Sequence, residues 1–556
     1  MTSPGHLLKF ILLFIISYRT STTSASLSDQ FDPRGATIPS IHHALLLTKQ
    51  ATCREIVSAF LSRIETLNPS INAIISLNPE TLTIADQIDN NQISTGNNMS
   101  TTQKLLCIPV LLKDNFDAIP MATTGGSLSL ANNYPANDAP TVQALKTSGA
   151  IILGKTNLHE MALEGLTVSS LGGQTINPFD FTRTPGGSSG GSGAAVAAGF
   201  ALLATGTDTM NSLRSPASAN GLFSFRPSKG LILREGVIPV SETQDAVGAM
   251  AWDLGDLRVA FEVMASTAED GAAEFDDDSM VAGKKKLSEM RFGVVDGFFN
   301  HTASGETTPV NDLMKGMLAA LERSGVGIVN ITEAVYNIDD LLALDVQMYE
   351  FRELLDEYLG RPNVENGEYR PSHFEELYDP EKERFLVIPR HYENIRKALV
   401  SSTREPDYAD RKQKITELTK TLEDTFLRND LDALIYPEQK NLVVKIGSES
   451  QHGRNGILAA LTGSPVVTVP VGFSPATEDA PLGVPVGMEI LSRPGSDMML
   501  LKLAQDVYDE VGIVGPGERR IPAWADVFVE PKIYEKVPDI RPNRENIPLE
   551  YPLNVF

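Results

Sequence analysis

Cysteine is nearly missing from this chain: Cys53 and Cys107 are the only two in 556 residues. That excludes a disulfide framework as the basis of the fold, although these two could pair. Neither a CxxC nor a Cys/His cluster at zinc spacing occurs, so no structural metal is expected. Positive charge is also scarce. Lys and Arg number 47 against 71 Asp and Glu, for a formal net charge of −24. Such a balance repels phosphate backbones and anionic membranes and argues against a nucleic-acid partner. Long apolar runs are absent too: Phe10 to Tyr18 (FILLFIISY) is too short to span a bilayer. There is no internal repeat and no convincing linker, which points to one large domain. With 42% hydrophobic residues the chain can bury a sizeable core.

What is present begins at the N-terminus. Lys9, the short apolar run and the small-residue stretch Thr23-Ser24-Ala25 have the layout of a secretory signal peptide over residues 1–25, leaving 26–556 as the mature domain. The expected location is outside the cell or in the secretory pathway. Sequons at Asn98, Asn300 and Asn330 agree with a glycoprotein. Residues 26–43 read as a processed arm. A helix is expected from Thr52 to Leu67, with Thr52 and Glu55 as a capping box and Ile56, Ala59, Phe60 and Ile64 on one face. The polar, Asn-rich residues 86–103 read as a loop. CIPVLLK, ending at Lys113, and AIILGK (Ala150–Lys155) read as strands buried on both faces, with a helix at Thr141–Ser148 between them. That alternation predicts an α/β fold. The charged residues 270–286 read as a surface excursion and 310–440 as mostly helical. LDALIYP and SPVVTVPVGF supply further core strands.

The stretch Thr184–Gly199 reads TPGGSSGGSGAAVAAG. A flexible linker would join polar segments, but this one enters AAVAAGFALLA, expected to be an apolar helix. A phosphate loop requires GxxxxGK[ST], and no lysine follows; GxGxxG is absent as well. Gly186–Gly190 satisfies G-x-S-x-G, the nucleophile elbow of α/β-hydrolases, with His301, His373, His391 and His452 downstream as nominal partners. The elbow needs a hydrophobic strand immediately before it, and INPFDFTRTP is not one.

Five segments in order carry a more specific pattern: IPVLLKDNFD, GKTNLHEMA (Gly154–Ala162), PGGSSGGSGAAVAAG, GTDTMNSLRSPAS and GVPVGMEIL. Over roughly residues 40–510 the chain resembles the amidase signature family, and in particular a secreted eukaryotic, fungal-like member. The resemblance implies one large α/β domain with a mixed sheet core sandwiched by helices. It implies a Ser–Ser–Lys triad with Ser212 as nucleophile, Ser188 as the bridging serine on a cis peptide bond, and Lys113 as base. The oxyanion donors would be the backbone N–H groups of Thr209, Met210, Asn211 and Ser212. Ser189, Asp208 and Arg214 would support the site, the last two as an ion pair. No cofactor or metal is implied. The substrate would be a small-molecule amide, with the pocket set by residues 310–455; the oligomeric state is open, a homodimer included.

The chemistry of these residues supports that reading independently. A serine hydroxyl needs a base to take its proton, and a lysine serves only when burial makes it neutral. Lys113 ends an apolar run suited to that. One departure stands out: GTDTMNS has Met210 and Asn211 where the family usually has two glycines. If their backbones need positive φ, Asn tolerates it and Met does not. Otherwise Asn211 could offer its amide to substrate, and Met210 would narrow the pocket. Three rival readings follow: a binding protein whose oxyanion hole is spoiled, one component of an amidotransferase for aminoacyl-tRNA, and an α/β-hydrolase-type esterase.

Overall fold

The run around Lys113 is buried on both faces because it lies inside a large sheet. The computed structural model describes residues 31–95, 103–267, 285–364, 370–378, 389–514 and 529–540. In chain order the strands are β1 (Ile74–Leu77), β2 (Pro109–Lys113), β3 (Ile151–Thr156), β4 (Val168–Ser169), β5 (Gly173–Gln174), β6 (Leu203–Asp208), β7 (Phe223–Arg226), β8 (Ala246–Ala251), β9 (Arg291–Val295), β10 (Gly327–Ile331), β11 (Ala433–Pro437), β12 (Val466–Phe473) and β13 (Pro485–Leu491). Eleven of them form one mixed sheet in the order β1-β3-β2-β6-β8-β7-β12-β13-β11-β9-β10, and β4 pairs with β5. Helices pack on the sheet and make a single large α/β domain. The three strands β3, β2 and β6 run parallel, so the C-terminal ends of β2 and β6 come out side by side.

Most local expectations are met. The helix Cys53–Ile71 starts at Thr52, whose hydroxyl accepts from Glu55 N while the Glu55 carboxylate takes Thr52 N. Cys53 and Cys107 form a disulfide, which ties the start of this helix to the loop entering β2.

Three expectations need correction. The described part of the expected arm, residues 31–43, packs on the domain: Ile38 and Ile41 are buried, and Ile38 N donates to Asp256 Oδ1 at 3.0 Å. The Asn-rich stretch from 86 to 95 is helical, continuing Thr81–Thr95. Leu82 and Ala85 bury one face of that helix, and Asp89 caps Cys53 N and Arg54 N of its neighbour, which outweighs weak helix propensity. The apolar run after the Gly/Ser stretch is helical only over Gly190–Ala197. Gly199, at φ +71°, ends the helix and the chain re-enters the sheet as β6. Residues 310–440 are mostly helical as expected, with helices at Thr308–Arg323, Gln347–Leu359, Pro389–Val400 and Pro406–Asn429, and the edge strand β10 falls among them. The signal-peptide reading, sequon Asn98 and nearly all of 270–286 lie outside the described residues. No described helix is long and apolar enough to cross a membrane.

Candidate active site

The serines of the Gly/Ser stretch all face the sheet. Gly191 allows that approach, since a Cβ there would lie 2.2 Å from Asn157 O. Ser192 Oγ donates to Thr205 O (2.8 Å), and Ser189 Oγ donates to Thr207 O (3.3 Å). Ser188 follows a cis peptide bond with Gly187, and its hydroxyl accepts from Lys113 Nζ at 2.8 Å. No strand leads into this segment, and Ser188 and Ser189 are fully buried, so it lacks the geometry of a hydrolase elbow. Ser189 bonds β6 and, among the described residues, makes no hydrogen bond to Lys113 Nζ or the Ser188 hydroxyl.

Lys113 is the last residue of β2 and is completely buried. Its backbone N donates to Thr205 Oγ1 (3.1 Å), and its Nζ also donates to Thr207 Oγ1 (2.7 Å). Burial pulls its pKa down to about 7; the carboxylates of Asp245 and Asp208 oppose that shift without cancelling it. A fraction of Lys113 is therefore neutral at physiological pH. Sequence reasoning does not single out Thr207. The signal was available: Thr205 and Thr207 lie two apart on a strand and so project from one face. Asn115 Nδ2 completes this cluster at 3.1 Å from Thr207 Oγ1.

The turn after β6 holds Thr209, Met210, Asn211 and Ser212. Their four carbonyls are all engaged by the protein. Thr209 O accepts from Gln244 Nε2 (3.2 Å), Met210 O from Arg214 Nη2, Asn211 O from Ser215 N (2.8 Å) and Ser212 O from Ser189 N (3.0 Å). The four N–H groups have no acceptor among the described residues. The turn thus spends its carbonyls on the scaffold and leaves a row of donors open. Neither Met210 nor Asn211 has positive φ, so replacing glycine imposes no left-handed strain here. The Asn211 amide is not directed to substrate as one reading had it: it is buried, and its Nδ2 donates to Glu438 Oε1 at 2.8 Å.

Beneath the turn lies a buried charge cluster. Arg214 pairs with Asp208 through Nε (3.1 Å) and Nη2 (3.0 Å), and with both oxygens of Glu489 through Nη1. Arg226 Nη1 reaches Asp208 Oδ1 at 2.8 Å. Burial alone would raise Asp208, but the two guanidiniums outweigh it and hold the carboxyl at about 2. Burial, and after it the nearby Glu489, push Glu438 up. Sequence reasoning anticipated the Asp208–Arg214 pair and missed Glu438, Glu489 and Arg226. A lone carboxylate inside the apolar strand GVPVGMEIL was the one signal that Glu489 has a buried partner.

Ser212 lies on the floor of a cavity of about 500 Å³, next to Thr209 and Met210. Its hydroxyl makes no hydrogen bond among the described residues, and none joins it to Ser188 Oγ. The walls come from Ala162, Leu163 and Glu164 and from side chains between 338 and 454, within the segment expected to shape the pocket. His452 is on this wall; His301 and His373 are not, and the His391 side chain lies outside the described residues. No group of three or more metal-ligating side chains occurs among the described residues.

The amidase family pattern matches residues 55–501. The chain is 30% identical over 489 residues to the mandelamide hydrolase of Pseudomonas putida, covering 84% of this chain and 90% of that protein. It is also 30% identical over 484 residues to one component of the glutamyl-tRNA(Gln) amidotransferase of Methylobacillus flagellatus, covering 84% and 95%. The solved structure of the peptide amidase from Stenotrophomonas maltophilia aligns with a TM-score of 0.70 at 27% identity, covering 87% of this chain and 98% of that one. These relatives are bacterial and give no support to a secreted eukaryotic origin.

Proposed function

Because the chain belongs to the amidase family and so is a hydrolase of carbon–nitrogen bonds, we propose that Ser212 is its nucleophile, Ser188 its proton relay and Lys113 its base. One observation carries the reading: a fully buried lysine, with a pKa drawn down to about 7, donates to the Ser188 hydroxyl at 2.8 Å. In the neutral form the Lys113 amine accepts instead, which leaves the Ser188 oxygen open to a proton from Ser212. Ser212 Oγ attacks the amide carbonyl, and its proton passes through Ser188 to Lys113. The oxyanion settles among the N–H groups of Thr209, Met210, Asn211 and Ser212. Each such donor is typically worth about 10²–10³ in rate. Collapse breaks the C–N bond, the proton returns to the leaving nitrogen, and ammonia or an amine departs. Water then attacks the acyl-enzyme by the same relay and frees the acid.

The substrate is a small-molecule amide that fits the cavity above Ser212. An aminoacyl-tRNA substrate is disfavoured by the net charge of −24. The place of action is the secretory pathway or the exterior. Support comes from the signal-like N-terminus and from the Cys53–Cys107 disulfide, a bond rare in reducing compartments.

The decisive experiment is fluorophosphonate labelling with peptide mapping, on wild type and Lys113→Ala. Label on Ser212, slowed at least about 100-fold without Lys113, is the expected result. Label on Ser188 or Ser189 would overturn the assignment. A folded protein that takes no label would favour a binding protein.

A further inference from the structure

Asn211 stands where the resemblance calls for glycine, yet its backbone is not left-handed and its amide does not reach the cavity. Its side chain points into the protein, where Nδ2 donates to Glu438 Oε1 at 2.8 Å with both residues fully buried. Glu438 is itself anchored through its backbone. Its N donates to Gly487 O on β13 (3.0 Å), and its O accepts from Asn455 N (3.0 Å). The next residue, Gly456, closes the arrangement from the other side. A Cβ there would lie 2.4 Å from the Asn211 Cβ and 2.6 Å from Met210 O, and Gly456 O accepts from Arg214 Nη2 at 2.9 Å. The donor turn is therefore held through a side chain at its third residue, from the end of β11, as well as through Arg214 from below.

We infer that Glu438 is a positioning residue for the oxyanion turn, acting through the Asn211 amide, and that this carboxyl–carboxamide pair supplies the rigidity of the turn in a chain that lacks the glycine pair. The inference rests on the proposed role of Ser212 and its neighbouring N–H groups. Its physical basis is that oxyanion donors are effective only when preorganised. A turn released from Glu438 still folds and still binds, but presents its N–H groups over a wider range of positions. Removing either partner also leaves the other buried without its hydrogen bond, whereas removing both leaves neither.

The test is a double-mutant cycle on fluorophosphonate labelling of the full chain, read as the maximal inactivation rate and the probe's binding constant. Asn211→Leu and Glu438→Met are each expected to lower the maximal rate about 10- to 100-fold, with the binding constant within about threefold of wild type. The double variant should be no slower than the slower single one. Glu438→Gln, which keeps an acceptor for Asn211, should label at least about tenfold faster than Glu438→Met. Multiplying losses in the double variant, or Glu438→Gln as slow as Glu438→Met, would overturn the pair. Should Glu438→Met not fold, Asn211→Leu decides alone: an unchanged maximal rate in the folded variant rejects the inference. Mapping the label in wild type keeps the two questions apart, since wild-type label away from Ser212 defeats the nucleophile assignment before any variant is compared.

Discussion

Lys113 shows how one residue's placement sets both a reaction and a stability term. Its amine is the proposed base only when neutral, so the labelling rate should rise with pH and level off above about 7. The same shift acts on folding, and its sign follows from proton counting. Burial holds the folded-state pKa near 7 against an ordinary value of 10.5. Between those limits the unfolded chain binds more protons at this site than the folded one, so its contribution to unfolding free energy rises with pH. Lys113→Met should therefore gain stability relative to wild type near pH 7 and lose that advantage toward pH 10, as followed by denaturant unfolding at each pH. A rate profile with no inflection between pH 6 and 8 would rule out Lys113 as the titrating base. Ser212 and Ser188 were legible as candidates from their motifs. Glu438 was not, because its partner Asn211 is 227 residues away and neither residue is unusual in its own segment.

Between elements, the disulfide joins the first residue of the helix Cys53–Ile71 to Cys107, two residues before β2, across a sequence separation of 54. It fastens one flanking helix to the strand that ends in Lys113. Replacing both cysteines by serine should cost about 2–4 kcal/mol of unfolding free energy, measured by denaturant titration. A loss below about 0.5 kcal/mol would show that packing of the helix on the sheet holds this junction unaided. The strands read most clearly from sequence were those buried on both faces, β2, β3, β11 and β12, since they appear as unbroken apolar runs. The helix Thr81–Thr95 did not, because its Asn-rich surface hides the few apolar positions that dock it.

For the molecule as a whole, the proposed route of export can be checked directly. Asn330 is exposed on β10, the edge strand of the sheet. Expressed in a secreting eukaryotic host, the protein should appear in the medium with an N-terminus near residue 26 and lose mass on N-glycan removal. Asn330→Gln should remove part of that mass. Retention in the cytosol with an intact N-terminus would reject the secretory reading.

Sequence alone determined the α/β class, the single-domain organisation, the family resemblance and the candidate residues, because each depends on short motifs or on the local period of apolar side chains. It also marked Lys113 as suited to burial. Only the tertiary structure decided how these residues are used. It set Lys113 beside Ser188 and Thr207 by pairing β2 with β6, turned the carbonyls of residues 209–212 away from the cavity, and gave the Asn211 amide to Glu438. Those outcomes depend on strand order and on contacts between residues far apart in the chain. No local pattern encodes them, because a side chain's partner is chosen by the packing of the whole sheet.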